Sequence, residues 1–277
     1  MFLTPYTSLT WAYQLHYYLC FRTHRRREFF ANAHQAEVLT SALTEICQRH
    51  DYHLLERQPY PDHLCCLISL RPEQVISSVV QTVKANASRA ASAELGLAVP
   101  VWARGFLVRS VGSVRLSVVK EYLLRQAEHH GYAKRRLPPV YRYRATAPVI
   151  LTAQHASFDL HHHLVFATAY RRGIFGSRMG EALGQYWLRV AAKHGFAIDQ
   201  ITIVPDHVHL LVRIVPKLSI ADSVFALLNN GQHFVGKNYP QALVEAGVEQ
   251  LWQPSVYAGT RGKYTTALIK AWLSELC

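Results

Sequence analysis

The chain has 277 residues, enough for one large domain or two small ones. Half of the residues are hydrophobic and 17% are charged, which excludes a disordered chain. Lys and Arg number 30 against 18 Asp and Glu, so the formal charge of +12 favours a polyanionic partner such as nucleic acid. No membrane span is expected, because the chain has no apolar run of about 18 residues, and the N-terminus lacks the basic region of a signal peptide.

The five cysteines are few and irregularly spaced, so the sequence predicts no disulfide framework and a protein of the reducing cytoplasm. Cys65 and Cys66 are adjacent in a predicted strand, and we expect both to be buried thiols. Positive charge is concentrated in the first 148 residues, which carry 19 Lys and Arg against 10 Asp and Glu.

The sequence contains an internal repeat. Segment 16–30, HYYLCFRTHRRREFF, matches segment 161–175, HHHLVFATAYRRGIF, at a constant offset of 145. Segments 49–72 and 193–216 match at an offset of 144, and Trp102, Gly112 and Lys120 match Trp252, Gly262 and Lys270 at 150. Chance similarity of two αβ segments is the alternative, and the preserved order of the matches disfavours it.

Each copy is predicted to contain the same elements. In chain order they are a strand (Leu15–Phe21; Leu160–Phe166), a helix (through Leu39, Leu43 and Ile46; through Leu183, Trp187 and Val190), two strands around a Pro-Asp turn (His53–Gln58 and His63–Leu70; Ala197–Val204 and His207–Ile214), a helix after Pro72 or Pro216, a short strand (Gly105–Arg109; Ser255–Gly259) and a final helix (Leu116–His129; Thr265–Leu276). Ser219 is the expected N-cap of its helix, and a longer loop is expected after Asn230.

This order predicts an α+β fold of two tandem ferredoxin-like, RRM-like β-α-β-β-α-β-α domains. We expect the first domain at 1–130, a basic Pro-containing linker or arm at 131–152, and the second domain at 153–277.

The most informative motif is VPDHVHLLV, residues 204–212. Side chains alternate along a strand, so His207 and His209 are expected on one face, where two imidazoles form half of a divalent-metal site. A pair of ordinary strand histidines is the alternative for a lone His-x-His.

A Pro-Asp-His-hydrophobic-His strand, a Trp-containing strand and a helix with Lys-x-Tyr-x-x-x-Gln follow one another in the repeat. Together they resemble the single-tyrosine HUH transposases, a family that includes insertion-sequence and REP-associated tyrosine transposases. Each copy resembles one whole family domain. The resemblance implies a His-x-His metal site on a central strand, a catalytic Tyr on the last helix and a Gln one turn later as a further metal ligand.

The two copies depart from the family pattern in complementary ways. The first keeps Tyr122 and Gln126 in VVKEYLLRQ but has His63-Leu64-Cys65 in place of the His pair. The second keeps His207 and His209, and its last helix has Trp272 and Leu276 at the Tyr and Gln positions. Because family members dock the Tyr helix of one subunit beside the His pair of the other, the resemblance implies a fused intramolecular pseudo-dimer. One composite site would contain Tyr122, Gln126, His207 and His209, and the degenerate second site His63, Cys65, Trp272 and Leu276.

The resemblance also implies nicking and strand transfer of single-stranded or hairpin DNA through a 5′-phosphotyrosine on Tyr122, with Mg²⁺ or Mn²⁺ as cofactor. The expected protein is a monomeric pseudo-dimer, cytoplasmic, nucleoid-associated and of prokaryotic type. The alternative is a catalytically retired DNA- or RNA-binding pseudo-dimer used for recognition or regulation. A function as an RRM-like RNA-binding protein is a weaker alternative, because the sequence has no clear aromatic RNP pattern.

Basic and aromatic residues complete the predictions. The expected nucleic-acid contacts are Arg22, Arg25, Arg26, Arg27, Lys84, Asn86, Arg89, Arg171 and Arg172, with a solvated basic face as the alternative for the arginines. Tyr17, Tyr18, Trp102 and Trp252 are expected in the core, with stacking on bases as the alternative. His161–His163 is interpreted as structural and not as a metal cluster, because alternation on a strand separates His162 from its neighbours.

Overall fold

The computed structural model describes residues 3–96, 100–112, 116–128 and 138–263. Within these ranges the strands are β1 (Thr10–Gln14), β2 (His16–Arg22), β3 (His53–Tyr60), β4 (His63–Ser69), β5 (Phe106–Val111), β6 (Tyr141–Arg144), β7 (Ala156–Asp159), β8 (His161–Thr168), β9 (Ala197–Val204), β10 (His207–Arg213) and β11 (Trp252–Arg261). The helices are α1 (Ala33–Arg49), α2 (Ile76–Leu95), α3 (Leu116–Glu128), α4 (Ser177–His194), α5 (Ile220–Asn238) and α6 (Pro240–Ala246).

Two sheets form, one for each copy of the repeat. The first sheet has the order β3-β4-β2-β5-β7, and the second has the order β1-β11-β8-β10-β9-β6. In each, four antiparallel strands follow the ferredoxin-like order, and two helices, α1 and α2 or α4 and α5, cover one face. The predicted α+β fold of two tandem domains is therefore confirmed.

The two copies exchange their first strands. β1 leaves the first copy and pairs in parallel with β11 of the second sheet, while β7 pairs in parallel with β5 of the first sheet. Leu15 and Leu160 directly follow these strands, and their carbonyl oxygens accept hydrogen bonds from the amides of Leu70 and Ile214, which lie in their own copies. The exchange ties each copy to the other through backbone hydrogen bonds, and the sequence did not predict it.

Contacts between the copies repeat in pairs, as a two-fold arrangement requires. Ser77 N–H donates to the Pro216 carbonyl at 2.9 Å, and Ala221 N–H donates to the Pro72 carbonyl at 3.0 Å. Tyr17 and His162, which occupy equivalent positions, meet each other with 2.8 Å between the hydroxyl and Nε2, fully inside the protein. The molecule is an intramolecular pseudo-dimer with an approximate two-fold axis through its centre.

Gly112 and Gly262 meet where the last strands of the two copies cross. Each amide donates to the other's carbonyl, and the φ angles are 142° and 133°, a region that L side chains rarely adopt. A Cβ on Gly112 would lie 2.8 Å from the Thr260 carbonyl oxygen. The match of these two glycines in the repeat thus has a steric cause.

Side-chain burial confirms the predicted aromatic core. Tyr17, Tyr18, Trp102 and Trp252 are all buried. The Trp252 indole stacks on Trp187 with ring centroids 5.8 Å apart and donates to the Leu228 carbonyl. The main apolar cluster of the described residues runs through both copies, and two smaller clusters lie apart from it.

Some local structure differs from the sequence prediction. Tyr141–Arg144, inside the predicted linker, forms β6 at the edge of the second sheet, because its alternating Tyr side chains pack against α4. The segment after Asn230 is mostly helical, since α5 continues to Asn238 and α6 follows.

Ser219 is the N-cap of α5, as predicted, and it forms a complete capping box with Asp222. The final helix predicted at 265–276 lies outside the described residues, and the predicted domain limits remain a prediction.

The prediction that Cys65 is a thiol is wrong. Cys20 and Cys65 face each other directly on β2 and β4 and form a disulfide, whereas Cys47 and Cys66 are buried free thiols. Strand register brings the two sulfurs together, and the 45-residue separation in sequence gave no sign of it. Among the helices described, none has both the length and the apolar character that a membrane crossing needs.

Candidate active site

The two histidines of β10 lie on one face of the second sheet. Burial alternates along β10, with Val208, Leu210 and Val212 fully buried under the helices and the intervening residues partly exposed on the opposite face. The rings of His207 and His209 are 4.9 Å apart between centroids. This face, called the histidine face below, confirms the alternation that the sequence predicted.

His207 is held by a carboxylate. Its Nδ1 lies 2.6 Å from Asp206 Oδ1, and Arg171 Nε donates to Asp206 Oδ2 at 2.9 Å. Burial raises the pKa of Asp206, but the hydrogen bond from His207 and the charge of Arg171 outweigh it and lower that pKa overall. A carboxylate on Nδ1 fixes the ring orientation and leaves Nε2 for another ligand, as in many metal-binding histidines.

His209 contacts a third histidine, His163 on β8. His209 Nδ1 and His163 Nε2 are 3.1 Å apart, and the two rings are stacked with centroids at 5.3 Å. Burial is the main cause that lowers the pKa of His209 to about 3 and that of His163 to about 4. Both rings are therefore neutral near pH 7, the form in which imidazole binds metal.

The helix α3 of the first copy packs on the histidine face of the second. Val119 and Tyr122 of α3 form a buried apolar cluster with Val165 on β8 and Tyr257 on β11. The Tyr122 and Tyr257 rings are 5.9 Å apart, and the Tyr122 hydroxyl lies 3.5 Å from Ser255 Oγ. Tyr257 in turn meets His163 edge to face, with centroids 6.3 Å apart. A series of ring contacts thus runs from Tyr122 through Tyr257 to the three histidines.

A divalent ion fits this donor set only in part. His207 and His209 each use Nδ1 for a protein contact, which leaves two Nε2 atoms on one face. Gln126 lies one turn after Tyr122 on α3, and its side chain lies outside the described part of the chain. Among the residues that the structure does describe, no three His, Cys, Asp or Glu side chains form a group that could hold a metal.

The equivalent position in the first copy repeats the carboxylate network. Asp62 Oδ1 lies 2.8 Å from His63 Nδ1, and Arg26 Nε donates to Asp62 Oδ2 at 3.1 Å. Tyr60 stacks on the His63 ring at 4.4 Å, and Cys65, at the position of His209, is held in its disulfide. Neither Tyr60 nor the disulfide-bonded Cys65 supplies a second metal ligand beside His63. Trp272 and Leu276, the other predicted members of this site, lie outside the described residues.

The basic residues divide into two groups. Arg25, Arg26, Arg27, Arg89 and Arg172 are exposed, as a nucleic-acid contact requires, and Arg22 is partly buried. Of the exposed residues, Arg26 also bonds Asp62, and Arg27 also donates to the carbonyls of His24 and Pro100. Three others differ from expectation. The Lys84 ammonium donates to the carbonyls of Ala103 and Gly105, the Asn86 amide donates to the Thr82 carbonyl, and Arg171 bonds Asp206. Their polar atoms are engaged within the protein.

Sequence reasoning missed Asp206, Arg171 and His163 as members of the site. A signal existed for the first two, because Asp62 and Arg26 match them in the repeat and both pairs hold a histidine. His163 had no such signal: Tyr18 occupies its position in the first copy, and only the register of β8 against β10 places it beside His209.

The chain matches a transposase family model twice, once in each copy of the repeat. The model of the IS200-like transposase family matches residues 11–126 and again residues 156–275. The chain belongs to the IS200-like transposase family, with one family unit in each copy of the repeat.

Individual relatives align with about half of the chain. The ISDra2 transposase TnpA of Deinococcus radiodurans is 28% identical over 118 residues, which are 43% of this chain and 84% of the relative. The transposase for insertion sequence element IS200 of Salmonella typhimurium is 24% identical over 114 residues, covering 41% of this chain and 75% of the relative.

Two solved structures are similar over the same fraction. A Deinococcus radiodurans protein solved as a candidate transposase is 25% identical, with a TM-score of 0.39, over 46% of this chain and 97% of that protein. A REP-associated tyrosine transposase bound to a REP hairpin is 17% identical, with a TM-score of 0.30, over 43% of this chain and 70% of that protein.

Proposed function

We propose that the protein nicks and rejoins single-stranded or hairpin DNA at one composite active site, through a 5′-phosphotyrosine on Tyr122. The observation that carries this proposal is the packing of α3, from the first copy, on the histidine face of the second. The residue types that the two copies have lost are complementary, so the two copies between them keep one complete set of the family's residues.

Tyr122 acts as the nucleophile in this proposal. Its phenolic oxygen bonds to the scissile phosphorus while the bond from phosphorus to the 3′ oxygen breaks. The phenol loses its proton and the departing 3′ oxygen takes one up, which leaves a free 3′-OH and a 5′-phosphotyrosine. Attack by a 3′-OH reverses the step and joins strands, so no nucleotide cofactor is needed.

His207, His209 and Gln126 are the proposed ligands for Mg²⁺ or Mn²⁺, which would polarise the scissile phosphate. The chain itself keeps the imidazole of His209 neutral and fixes the orientation of the His207 and His209 rings. Asp206 sets the orientation of His207, and His163 packs on His209.

A single composite site has a mechanistic consequence. A homodimer with two sites can cut two strand ends in one complex, whereas this chain cuts one at a time. We propose that it acts sequentially, recruits a second copy, or works as a nickase.

The test is adduct formation with a hairpin-bearing single strand and Mn²⁺, read on a denaturing gel. We expect a covalent protein–DNA adduct in the unmodified chain, none with Tyr122→Phe, and none when a chelator removes the metal. Tyr257→Phe is the matched control, because Tyr257 is a second buried tyrosine on the same face. An adduct that survives Tyr122→Phe and disappears with Tyr257→Phe would contradict the nucleophile assignment.

The second candidate function is a retired DNA- or RNA-binding pseudo-dimer. It is favoured by the contact of His209 Nδ1 with His163 Nε2, which engages one nitrogen of a proposed metal ligand within the protein. This function predicts that hairpin binding is retained while no adduct forms under any metal condition.

A further inference from the structure

We propose that Arg171 is a positioning residue that fastens the Tyr122 helix to the His207 side of the composite site. The inference rests on the proposed function and adds a residue whose expected role was a phosphate contact. Its basis is that one guanidinium bonds both halves of the site: Nε bonds Asp206 Oδ2 at 2.9 Å, and Nη1 donates to the Leu123 carbonyl of α3 at 3.2 Å.

The backbone of the 170–171 turn is shaped for this contact. Tyr170 and Arg171 have φ angles of 53° and 54°, left-handed conformations that non-glycine residues rarely adopt. Thr168 braces the turn, because its hydroxyl lies 2.7 Å from the Arg172 carbonyl and 2.9 Å from the Asp206 carbonyl. Unfavourable conformations persist where surrounding contacts determine them, and these contacts direct the Arg171 side chain toward Asp206.

Arg171 is more buried than an arginine at the surface that is available to contact DNA. Its side chain is 14% exposed, and that of Asp206 is 11% exposed. The equivalent Arg26 is 47% exposed beside Asp62 in the first copy, although it has the same left-handed turn. The Arg171 guanidinium bonds a carboxylate and a carbonyl at once in a partly buried site. Lys keeps the charge but cannot make both hydrogen bonds with the same geometry, so the contact would be weaker.

The consequence is a mechanical link between the two family units. Asp206 holds the ring of His207 by Oδ1 and the Arg171 fork by Oδ2, and Arg171 holds the backbone one residue after Tyr122. The orientation of His207 and the docking of α3 are therefore set by one connected group of hydrogen bonds.

The first experiment is hydrogen–deuterium exchange on the full chain, which does not depend on activity. We expect Arg171→Ala and Arg171→Lys to raise exchange in peptides covering 116–128 by about tenfold, with the second-sheet strands unchanged. Arg26→Ala is the matched control, since it removes the equivalent guanidinium from the first copy and should leave exchange of 116–128 unchanged. Unaltered protection of 116–128 in both Arg171 variants would overturn the proposal.

The second experiment separates positioning from phosphate contact. With the hairpin substrate and Mn²⁺, we expect Arg171→Lys to lower the rate of adduct formation at saturating DNA by about tenfold while hairpin affinity changes less than about twofold. If Arg171→Lys keeps both the rate of adduct formation and the hairpin affinity of the unmodified chain, Arg171 is a charge contact to DNA and the proposal fails. If the unmodified chain forms no adduct, the proposed function fails, and the exchange result alone decides the role of Arg171 in docking α3.

Discussion

At the scale of single residues, the site depends on carboxylates that hydrogen-bond histidine rings and fix their orientation. Asp206 and Asp62 bind His207 and His63 in the same way, and the pKa of each carboxyl is lowered by its histidine and arginine despite burial. The same local network therefore occurs beside a retained histidine pair and beside a lost one. What differs is the next residue on the strand face, His209 in one copy and disulfide-bonded Cys65 in the other.

Asp206→Asn is expected to raise the Mn²⁺ concentration needed for half-maximal adduct formation by about 10- to 100-fold. The amide no longer fixes the His207 tautomer or its ring orientation, although its size is unchanged. A metal titration of the adduct assay measures this effect, and Asp62→Asn is the control because it alters the equivalent network of the first copy. Equal metal dependence in the two variants would refute the role assigned to Asp206.

At the scale of elements, the composite arrangement depends on where the chain crosses between copies. β5 ends at Val111, and the next residue, Gly112, pairs with Gly262 before the chain enters α3 on the other sheet. The exchanged strands β1 and β7 pair with β11 and β5, the two strands that lead into this crossing.

Gly112→Ala is expected to lower the free energy of unfolding by about 1–3 kcal/mol, because φ of 142° is strained for alanine and its Cβ would meet the Thr260 carbonyl. Urea denaturation followed by fluorescence measures the change. Gly105→Ala is the matched control, since the nearest atom to its Cβ would be the His155 carbonyl oxygen at an ordinary 3.5 Å. A loss of stability in both variants alike would show that the crossing is not special.

At the scale of the whole molecule, the copies meet at a buried Tyr17–His162 pair near the two-fold axis. Burial lowers the pKa of His162 to about 3 and raises that of Tyr17. The folded chain therefore holds His162 neutral, while the unfolded chain protonates it below about pH 6.5. Acid consequently favours the unfolded state through this residue.

Stability is expected to fall as the pH decreases from about 6.5 toward 3, with His162 contributing a slope of up to about 1.4 kcal/mol per pH unit. His162→Phe should reduce the measured slope by that amount in urea unfolding at pH 6, 5 and 4. Tyr17→Phe should keep the slope, because it removes the hydrogen bond and leaves His162 buried. Identical slopes for the unmodified chain and His162→Phe would exclude this contribution.

The sequence by itself determined the repeat, most of the elements that the two copies share and the residue types that each copy kept or lost. These follow from periodicity and spacing, which are local properties: alternation placed His207 and His209 on one face, and helical spacing placed Tyr122 and Gln126 together. Ser219 capped its helix as its local pattern required.

Only the tertiary structure decided which parts of the two copies meet. Strand exchange, the Cys20–Cys65 disulfide and the His163–His209 contact all depend on register between strands that are distant in sequence. The packing of Tyr122 against Val165 and Tyr257 depends in the same way on the path of the chain after Gly112. Local patterns specify faces and elements, whereas long-range pairing is selected by the combined burial and backbone hydrogen bonding of the complete fold, which no single segment contains.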